Sequence, residues 1–567
     1  MAACRAGVTE YDLGLDERAY DVIVIGGGST GTAVARDCAM RGLRTVLLER
    51  DDIASATVGT CAGMISSGFK YYDEPEIMDI CSNEVVHFRS IARHIVAKLP
   101  ILFPLLDIAE LSSGSGKGMD EYSKRVEQRG VPPFLFLTPE ASLEIEPMLN
   151  PDLMAGGYIE EYFIDPFRLC VLQALSARHY GADIRTYCEV VAINTRDGHM
   201  EGVSVHNRLT GQVEQINGKI VINATGPWAG KIAGLAGTKV ELRLNKGAHI
   251  ILDRRVVNVG VTTRSVDKRW VYMYPHENTT LIGTTALDTW EDPDRLVTTA
   301  DEIEYLLKSF EWVVPSIRQA RIIRTMEGVR PMAPVWKVPE DDVTRGYEII
   351  DHGKEGVEGF LTFVGGKLVM CRHMAEAVTN IACKKLGVSV ECRTHLEPLP
   401  GMDRDIDVVA LAAEYNVSQH ALERMRVRRG TGALDVLALL KEHPEWRTII
   451  CACEPVMEAE LRYVMREEFP HTLNDLRRRV RLGTGPCQST FCGHKAAAIF
   501  AEERELDGSQ LQLEILDFLA ERWKGKRQSF RGVQVDQEEL AQGIYACVAN
   551  LDKGDLDYDP KPWEEFT

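Results

Sequence analysis

The sequence predicts an α/β protein. A Rossmann-type dinucleotide-binding domain has a sheet-rich substrate lobe interleaved with it, and a small helical, cysteine-bearing domain follows. Three observations predict this. A glycine-rich turn, Gly26-x-Gly28-x-x-Gly31, lies between an apolar β-branched run and a small-residue run. Helix-like and strand-like periodicities alternate up to about residue 400. Two close pairs of cysteines then appear near the C-terminus, Cys451 with Cys453 and Cys487 with Cys492.

Taken in order, residues 1–19 form a tail that carries acidic residues and no continuous apolar core, so it does not read as a secretory signal. Val22 to Ile25 is a strand, Thr30 to Met40 a helix ended by Gly42, and Arg44 to Leu48 the next strand. Val85, Phe88, Ile91, Ile95 and Leu99 fall at helical spacing and predict an amphipathic helix from Glu84 to Leu99. Ile220 to Ala224, His249 to Leu252 and Leu361 to Val364 are apolar runs of strand length. The first domain is expected over 20–400, with its interleaved lobe drawn from roughly 75–165 and 240–345. Pro, Gly and charge concentrate from Leu396 to Asp405 and mark its end. Residues 401–445 are expected to be a linker, 446–505 the cysteine-bearing domain, and 506–567 a helical tail with an amphipathic helix around Leu511 to Trp523.

A formal net charge of -19 over 567 residues lacks the basic footprint of a nucleic-acid binder. It remains compatible with an anionic substrate, which a few local Arg and Lys side chains can hold. No apolar run approaches the ~18 residues that cross a bilayer, so membrane contact is expected to be peripheral or through a partner. The 14 Cys, in a long chain without an export signal, are expected to be thiols or metal ligands and not disulfides.

In the glycine turn, Gly26 permits the sharp reversal, Gly28 lets backbone approach a pyrophosphate, and Gly31 lets the helix pack on the strand. Ser29 and Thr30 open that helix, where N–H groups face an anion. Glu49, 23 residues after Gly26, ends the second strand where a carboxylate accepts ribose hydroxyls and repels a 2′-phosphate; Arg50 follows it. A second strand breaks into Ala224-Thr225-Gly226, then Pro227 and Trp228. A third ends in Gly365-Gly366-Lys367. Either of these two alone reads equally well as an ordinary strand-to-turn junction.

In this order the three segments resemble the FAD-dependent oxidoreductases of the D-amino-acid-oxidase and glycerol-3-phosphate-dehydrogenase superfamily. The choice of FAD over NAD rests on that likeness. IGGGSTGTAVARDCAMRGLRTVLLERDDIA, IDPFRL, LIGTTALD, GVRPM and GGKL are similar to the flavin-dependent glycerol-3-phosphate dehydrogenases. LRRRVRLGTGPCQSTFCGHKAA and FLAERWKG resemble the catalytic A subunits of the anaerobic, three-subunit members. The resemblance runs from about Tyr20 to at least Lys526. It implies oxidation of sn-glycerol 3-phosphate to dihydroxyacetone phosphate with FAD, and onward electron transfer to partner subunits and a quinone.

It also implies site residues. Arg330, in Gly-Val-Arg-Pro, matches the substrate-site arginine. Lys367, in Gly-Gly-Lys, matches a lysine at the flavin–substrate boundary. Lys70 stands where the family has Arg before Tyr, keeping the charge and losing the fork. His249 matches a position that is His in many relatives, and an ordinary imidazole pKa suits a general base. A solvated charge is the other reading for the three cations, and a structural imidazole for His249. In the loop SATVGTCAGMISSGFKYY, Ser66 and Ala62 stand where the family has His, and Thr60 where the anaerobic subunits have Arg. These departures keep two alternatives open: a different hydroxy substrate, such as another polyol phosphate or a 2-hydroxy acid, or a non-catalytic electron-transfer flavoprotein subunit.

Cys451, Cys453, Cys487 and Cys492 form C-x-C and C-x4-C with 33 residues between the pairs. Four such thiolates satisfy either tetrahedral zinc or a [2Fe-2S] cluster. The spacing resembles the bacterioferritin-associated-ferredoxin type of [2Fe-2S] domain, and a one-electron carrier fits a flavin that must pass electrons on. Gly483 and Gly485 supply the turn before the third thiol, and Arg477, Arg478 and Arg479 are expected to offer positive charge to an anionic centre. The resemblance places the chain in the cytoplasm, peripheral at the inner face of the cell membrane through a partner protein.

Overall fold

Val22, Ile23 and Val24 lose all solvent contact in the strand Tyr20–Ile25, because both faces of its sheet are covered. Val22 and Val24 pack on one side against helices Ser29–Met40, Pro166–His179 and Cys371–Leu386. Ile23 and Ile25 pack on the other against the hairpin of Cys188–Arg196 and His199–Asn207 and the short helix Ala229–Leu235. This computed structural model describes residues 19–71, 74–105, 115–339 and 343–551. The expected N-terminal tail, up to residue 18, and the end of the expected helical tail, from residue 552, lie outside the described residues.

In the first sheet the order is Tyr347–Asp351, Phe360–Gly365, Val213–Asn223, Tyr20–Ile25, Thr45–Leu48, Asp183–Arg185. All of these neighbours run parallel except the first pair. Parallel order brings the C-terminal ends of three strands to one edge. Gly26, Ala224 and Gly365 all stand there.

A second sheet of ten strands is drawn from Met64–Ile65, Val96–Leu105, Leu135–Leu137, Ala155–Ile164 and the strands between Arg243 and Met332. The two long strands Arg243–Leu252 and Ile322–Met332 pair antiparallel, setting Asn245 against Arg330, Gly247 against Gly328, and His249 against Met326. His249 also faces Gly283 on its other side.

Two expectations are corrected. The helix expected to reach Leu99 ends at Ile91, and Leu99 lies in the strand Val96–Leu105, paired with Ala155–Ile164. Pro100 disfavours helical backbone at the residue before it, so the apolar spacing past Ile91 had no helix to serve. Residues 401–445 are not a plain linker: they carry helices Val408–Tyr415, Gln419–Arg429 and Ala433–Leu439, whose apolar faces share a core with Trp446 and Met457. The Pro-Gly punctuation at Leu396 to Asp405 marks the boundary, but the folded unit begins just beyond it. The expected helix around Leu511 to Trp523 lies inside Gly508–Lys526.

Buried charge joins the C-terminal region to the first domain. Arg168 forks the Glu468 carboxylate at 2.6 and 3.3 Å. Arg479 reaches both oxygens of the fully buried Asp52 at 2.5 Å, and Arg478 adds a third bond at 2.9 Å. Burial opposes ionisation of Asp52, yet Arg479 and Arg478 hold its pKa below the ordinary range. Two of the three arginines expected to serve the cysteines are therefore committed to Asp52.

Candidate functional site

The first sheet's edge opens into a cavity lined by Gly26, Gly28, Ser29, Thr30, Glu49, Arg50, Ala224, Thr225, Gly226, Gly365, Gly366 and Lys367. Gly31 lies behind the wall: a Cβ there would sit 1.9 Å from the Gly26 carbonyl oxygen. A Cβ on Gly28 would meet nothing within 4 Å, so the backbone at that point borders open space. The helix Ser29–Met40 begins with Gly28 as its cap, no side chain bonds its free N–H groups, and no acidic residue lies in its first turn. That end is left to receive an anion.

Glu49 is pushed up to about 7, first by burial and then by Asp51. Its carboxylate accepts from the Gly27 N–H at 2.6 Å and the Asp51 N–H at 2.8 Å. Arg50 lies over the Trp228 ring at 4.9 Å and forks Asp294 of the second sheet's outer loop at 2.8 and 3.0 Å. Asn223 orders the second strand end: it accepts from the Thr225 hydroxyl at 2.7 Å and donates to the Ala229 carbonyl at 2.9 Å. Trp228 Nε1 is buried without a hydrogen-bond partner and borders the same cavity. An N–H kept from water in this way calls for an acceptor from a ligand.

At the other end of the cavity, Lys367 donates to the Tyr71 hydroxyl at 2.9 Å and lies 4.0 Å from that ring's centre. Burial works against its charge, but Tyr71 and Cys81 hold the ammonium above the ordinary lysine range. Lys70 lies over the Tyr272 ring at 5.0 Å. Arg330 is aimed by Asn245 at 2.6 Å and by the Thr284 hydroxyl at 2.9 Å. Gly247 is needed beneath it, since a Cβ there would be 2.4 Å from the guanidinium.

His249 lies on the same strand face as Gly247 and Asn245, buried, with Nδ1 making no hydrogen bond. Burial and then Arg330 push its pKa down to about 3, so the ordinary imidazole value expected from sequence does not hold here. Thr60 packs on Gly328, whose Cβ would be 2.3 Å from its hydroxyl. Ser66 donates to Glu161 at 2.9 Å, and the Ser67 N–H reaches the other Glu161 oxygen at 2.6 Å. Glu161 itself is pushed up to about 7 by burial.

Asn245, Tyr71 and Glu161 were not singled out from sequence. Strand alternation alone could have found Asn245, two and four residues before Gly247 and His249. Tyr71 and Glu161 act across the fold and leave no local signal.

Cys451 and Cys487 each share a hydrogen bond with Cys492, and Cys487 also pairs with Cys453. The Cys492 contact draws the Cys451 and Cys487 thiols toward ionisation, while burial pushes Cys453 the other way. Gly485 lets the chain close over Cys453, because a Cβ there would be 2.4 Å from Cys453 Cβ. Among the described residues, no group of three or more His, Cys, Asp or Glu side chains is arranged to hold a metal ion. The thiols form a string of sulfur contacts. Among the described residues no helix is long and apolar enough to cross a membrane.

Comparison with known proteins bears on the family and the fold. The family described as FAD dependent oxidoreductase matches residues 21–379, and one described as the C-terminal domain of alpha-glycerophosphate oxidase matches 392–511. The chain is 34% identical to the A1 subunit of the anaerobic glycerol-3-phosphate dehydrogenase of Haloferax volcanii, over 95% of this chain and 92% of that protein. It is 33% identical to the A subunit of the anaerobic glycerol-3-phosphate dehydrogenase of Escherichia coli K12, over 96% of this chain and 99% of that one. In fold it is similar to the FAD-complexed glycerol-3-phosphate dehydrogenase of Bacillus halodurans, with a TM-score of 0.73, 23% identity, and coverage of 92% of this chain and 97% of that chain.

Proposed function

The chain belongs to the FAD-dependent oxidoreductase family, and on that premise we propose that it oxidises sn-glycerol 3-phosphate to dihydroxyacetone phosphate. Similarity over nearly the full length, at 34% and 33% identity, to two glycerol-3-phosphate dehydrogenase subunits carries this reading. FAD fits the cavity: the uncapped helix end would take its diphosphate, Glu49 its ribose, and Trp228 Nε1 a polar group of the bound cofactor. When bound it would supply a two-electron acceptor for hydride from C2.

The chain's own residues do the rest. Arg330, its fork held by Asn245 and Thr284, would grip the substrate and stabilise negative charge on its oxygen. Lys367 and Lys70 would add positive charge beside it. His249 is neutral and has a free Nδ1, so it is the candidate acceptor for the hydroxyl proton; a dianionic substrate nearby would raise its basicity.

Cys451, Cys453, Cys487 and Cys492 would hold a [2Fe-2S] cluster, which would supply a one-electron carrier. The contacts that run from Cys451 to Cys492 to Cys487 to Cys453 bring all four thiols together and support that reading, although no three of them are set about a single ion. The relatives' description as subunits supports partner proteins; in this reading those partners would carry the electrons on to a quinone, at a membrane face that this chain would meet only through them.

A second reading, oxidation of another polyol phosphate or a 2-hydroxy acid, is favoured by the uncharged Thr60, Ala62 and Ser66. Anaerobic addition of sn-glycerol 3-phosphate to the FAD-loaded protein separates the two. Bleaching of the flavin's visible band is expected; no bleaching with this compound, but bleaching with another alcohol, would replace the first reading by the second. Iron and acid-labile sulfide are expected in anaerobically purified protein. Equimolar zinc without sulfide would sink the cluster.

A further inference from the structure

A second cavity, of about 140 Å³, lies between the segment 55–61, the residues Arg324 to Glu327, and the C-terminal region. Arg324 lies six residues before Arg330 on the same strand face, about 20 Å along it, while the cavity's wall runs on through Glu327 and Thr60 toward Gly328.

Its polar lining is incompletely matched. Gln488 is only 2% exposed and spends its amide N–H groups on the Thr484 and Gly485 carbonyls at 3.1 and 3.0 Å, leaving Oε1 buried with no partner. Arg477 makes no hydrogen bond or ion pair with another described residue; its guanidinium rests 5.7 Å from the Phe518 ring. Burial and the neighbouring Arg324 lower its pKa to about 9. Arg324 donates to the Glu521 backbone carbonyl at 3.3 Å, and Lys524 lies 3.6 Å from Glu327. Arg478 and Arg481, also on the wall, are already tied to Asp52 and Glu454. Two arginines therefore face one cavity, sharing the attraction of the Glu521 carboxylate, while a buried amide oxygen has no donor.

A bare anion would satisfy the arginines and leave Gln488 unmatched. A water would do the reverse. We propose that this cavity is a binding site for a small hydroxylated anion of the polyol-phosphate class, its phosphate on Arg477 and Arg324 and a hydroxyl on Gln488 Oε1. The site is separate from the one that Arg330 serves. Ser55 and Cys61 line both this cavity and the dinucleotide cavity, so an anion held here lies one wall away from the cofactor.

The test is calorimetric titration of the full FAD-loaded chain with glycerol 2-phosphate and, separately, inorganic phosphate. Glycerol 2-phosphate is expected to bind in wild type and still to bind in Arg330→Ala. Arg477→Gln is expected to weaken it by about 10–100-fold, the loss of one charge-assisted contact. Arg477→Lys should recover part of the affinity. Gln488→Met should erase the preference for glycerol 2-phosphate over inorganic phosphate. No binding in Arg330→Ala would assign all affinity to the other site and overturn the proposal. So would unchanged affinity in a folded Arg477→Gln. If Arg477→Gln does not fold, full affinity and preference in both Arg477→Lys and Gln488→Met overturn it instead.

Discussion

The dinucleotide cavity and the sheet face beside it are both assembled from distant parts of the chain, yet by different means. The cavity is shaped by backbone. Its glycines are fixed by what a side chain would strike, as Gly31 is by Gly26, or by what it would fill, as Gly28 is. The sheet face is shaped by side chains in register: Arg330 points where it does because Asn245 stands opposite and Gly247 leaves room. A backbone site tolerates almost no substitution at its few key positions. A side-chain site degrades in steps.

The sharpest way to break that contrast is at the glycines. Gly31→Ala is expected to abolish flavin retention and destabilise the fold, because backbone meets the new methyl. Gly28→Ala should fold normally and still lose flavin, because its methyl enters the open cradle. The flavin-to-protein absorbance ratio and the urea midpoint read the two apart; full flavin in Gly28→Ala would remove the pyrophosphate from that spot. Asp52→Ala should come next, at about 3–5 kcal/mol of stability, since it strands two buried guanidinium groups. A loss below about 1 kcal/mol in urea unfolding would show that water reaches Arg478 and Arg479.

On the side-chain site, Arg330→Ala should weaken substrate by about 2–5 kcal/mol if it pairs a desolvated phosphate. Asn245→Ala should cost only about 0.5–1.5 kcal/mol, as the loss of one aiming bond. Equal effects of the two on kcat/KM would mean that aiming, not charge, dominates.

A last effect is one of pH. Glu161 has its pKa raised from an ordinary 4.5 to about 7, mainly by burial. The folded chain thus keeps a proton that the unfolded chain releases. Its contribution to stability is full below 4.5 and is lost as pH rises through 7. Glu161→Gln should flatten the fall in urea midpoint between pH 5 and 8; an unchanged slope would assign that fall to another group.

Legibility in the sequence follows the same divide. Gly26, Gly28, Gly31 and Glu49 were readable because backbone requirements impose fixed spacings over a short stretch. The strand ends at Ala224 and Gly365 were readable as turns, and only the parallel order of the sheet unites them. Arg330 and Lys367 came from resemblance; their partners Asn245 and Tyr71 depend on strand register and on a contact 296 residues distant. The pKa of His249 was misjudged because burial, which no spacing reveals, outweighs the imidazole's intrinsic value. Leu99 was misplaced because apolar spacing was followed past a proline.

The bonds from Arg478 and Arg479 to Asp52 span 426 and 427 residues. During synthesis the loop after Glu49 leaves the ribosome long before its counter-charges exist. At ~5–20 residues per second, Asp52 waits on the order of half a minute or more with no arginine to neutralise it. Until then the buried carboxylate beside the segment 55–61, which walls the dinucleotide cavity, lacks the fork that holds it in the folded chain. Cofactor loading is then expected to follow completion of the C-terminal region. A chain halted before Arg478 should leave the ribosome with its glycine turn formed and its flavin absent.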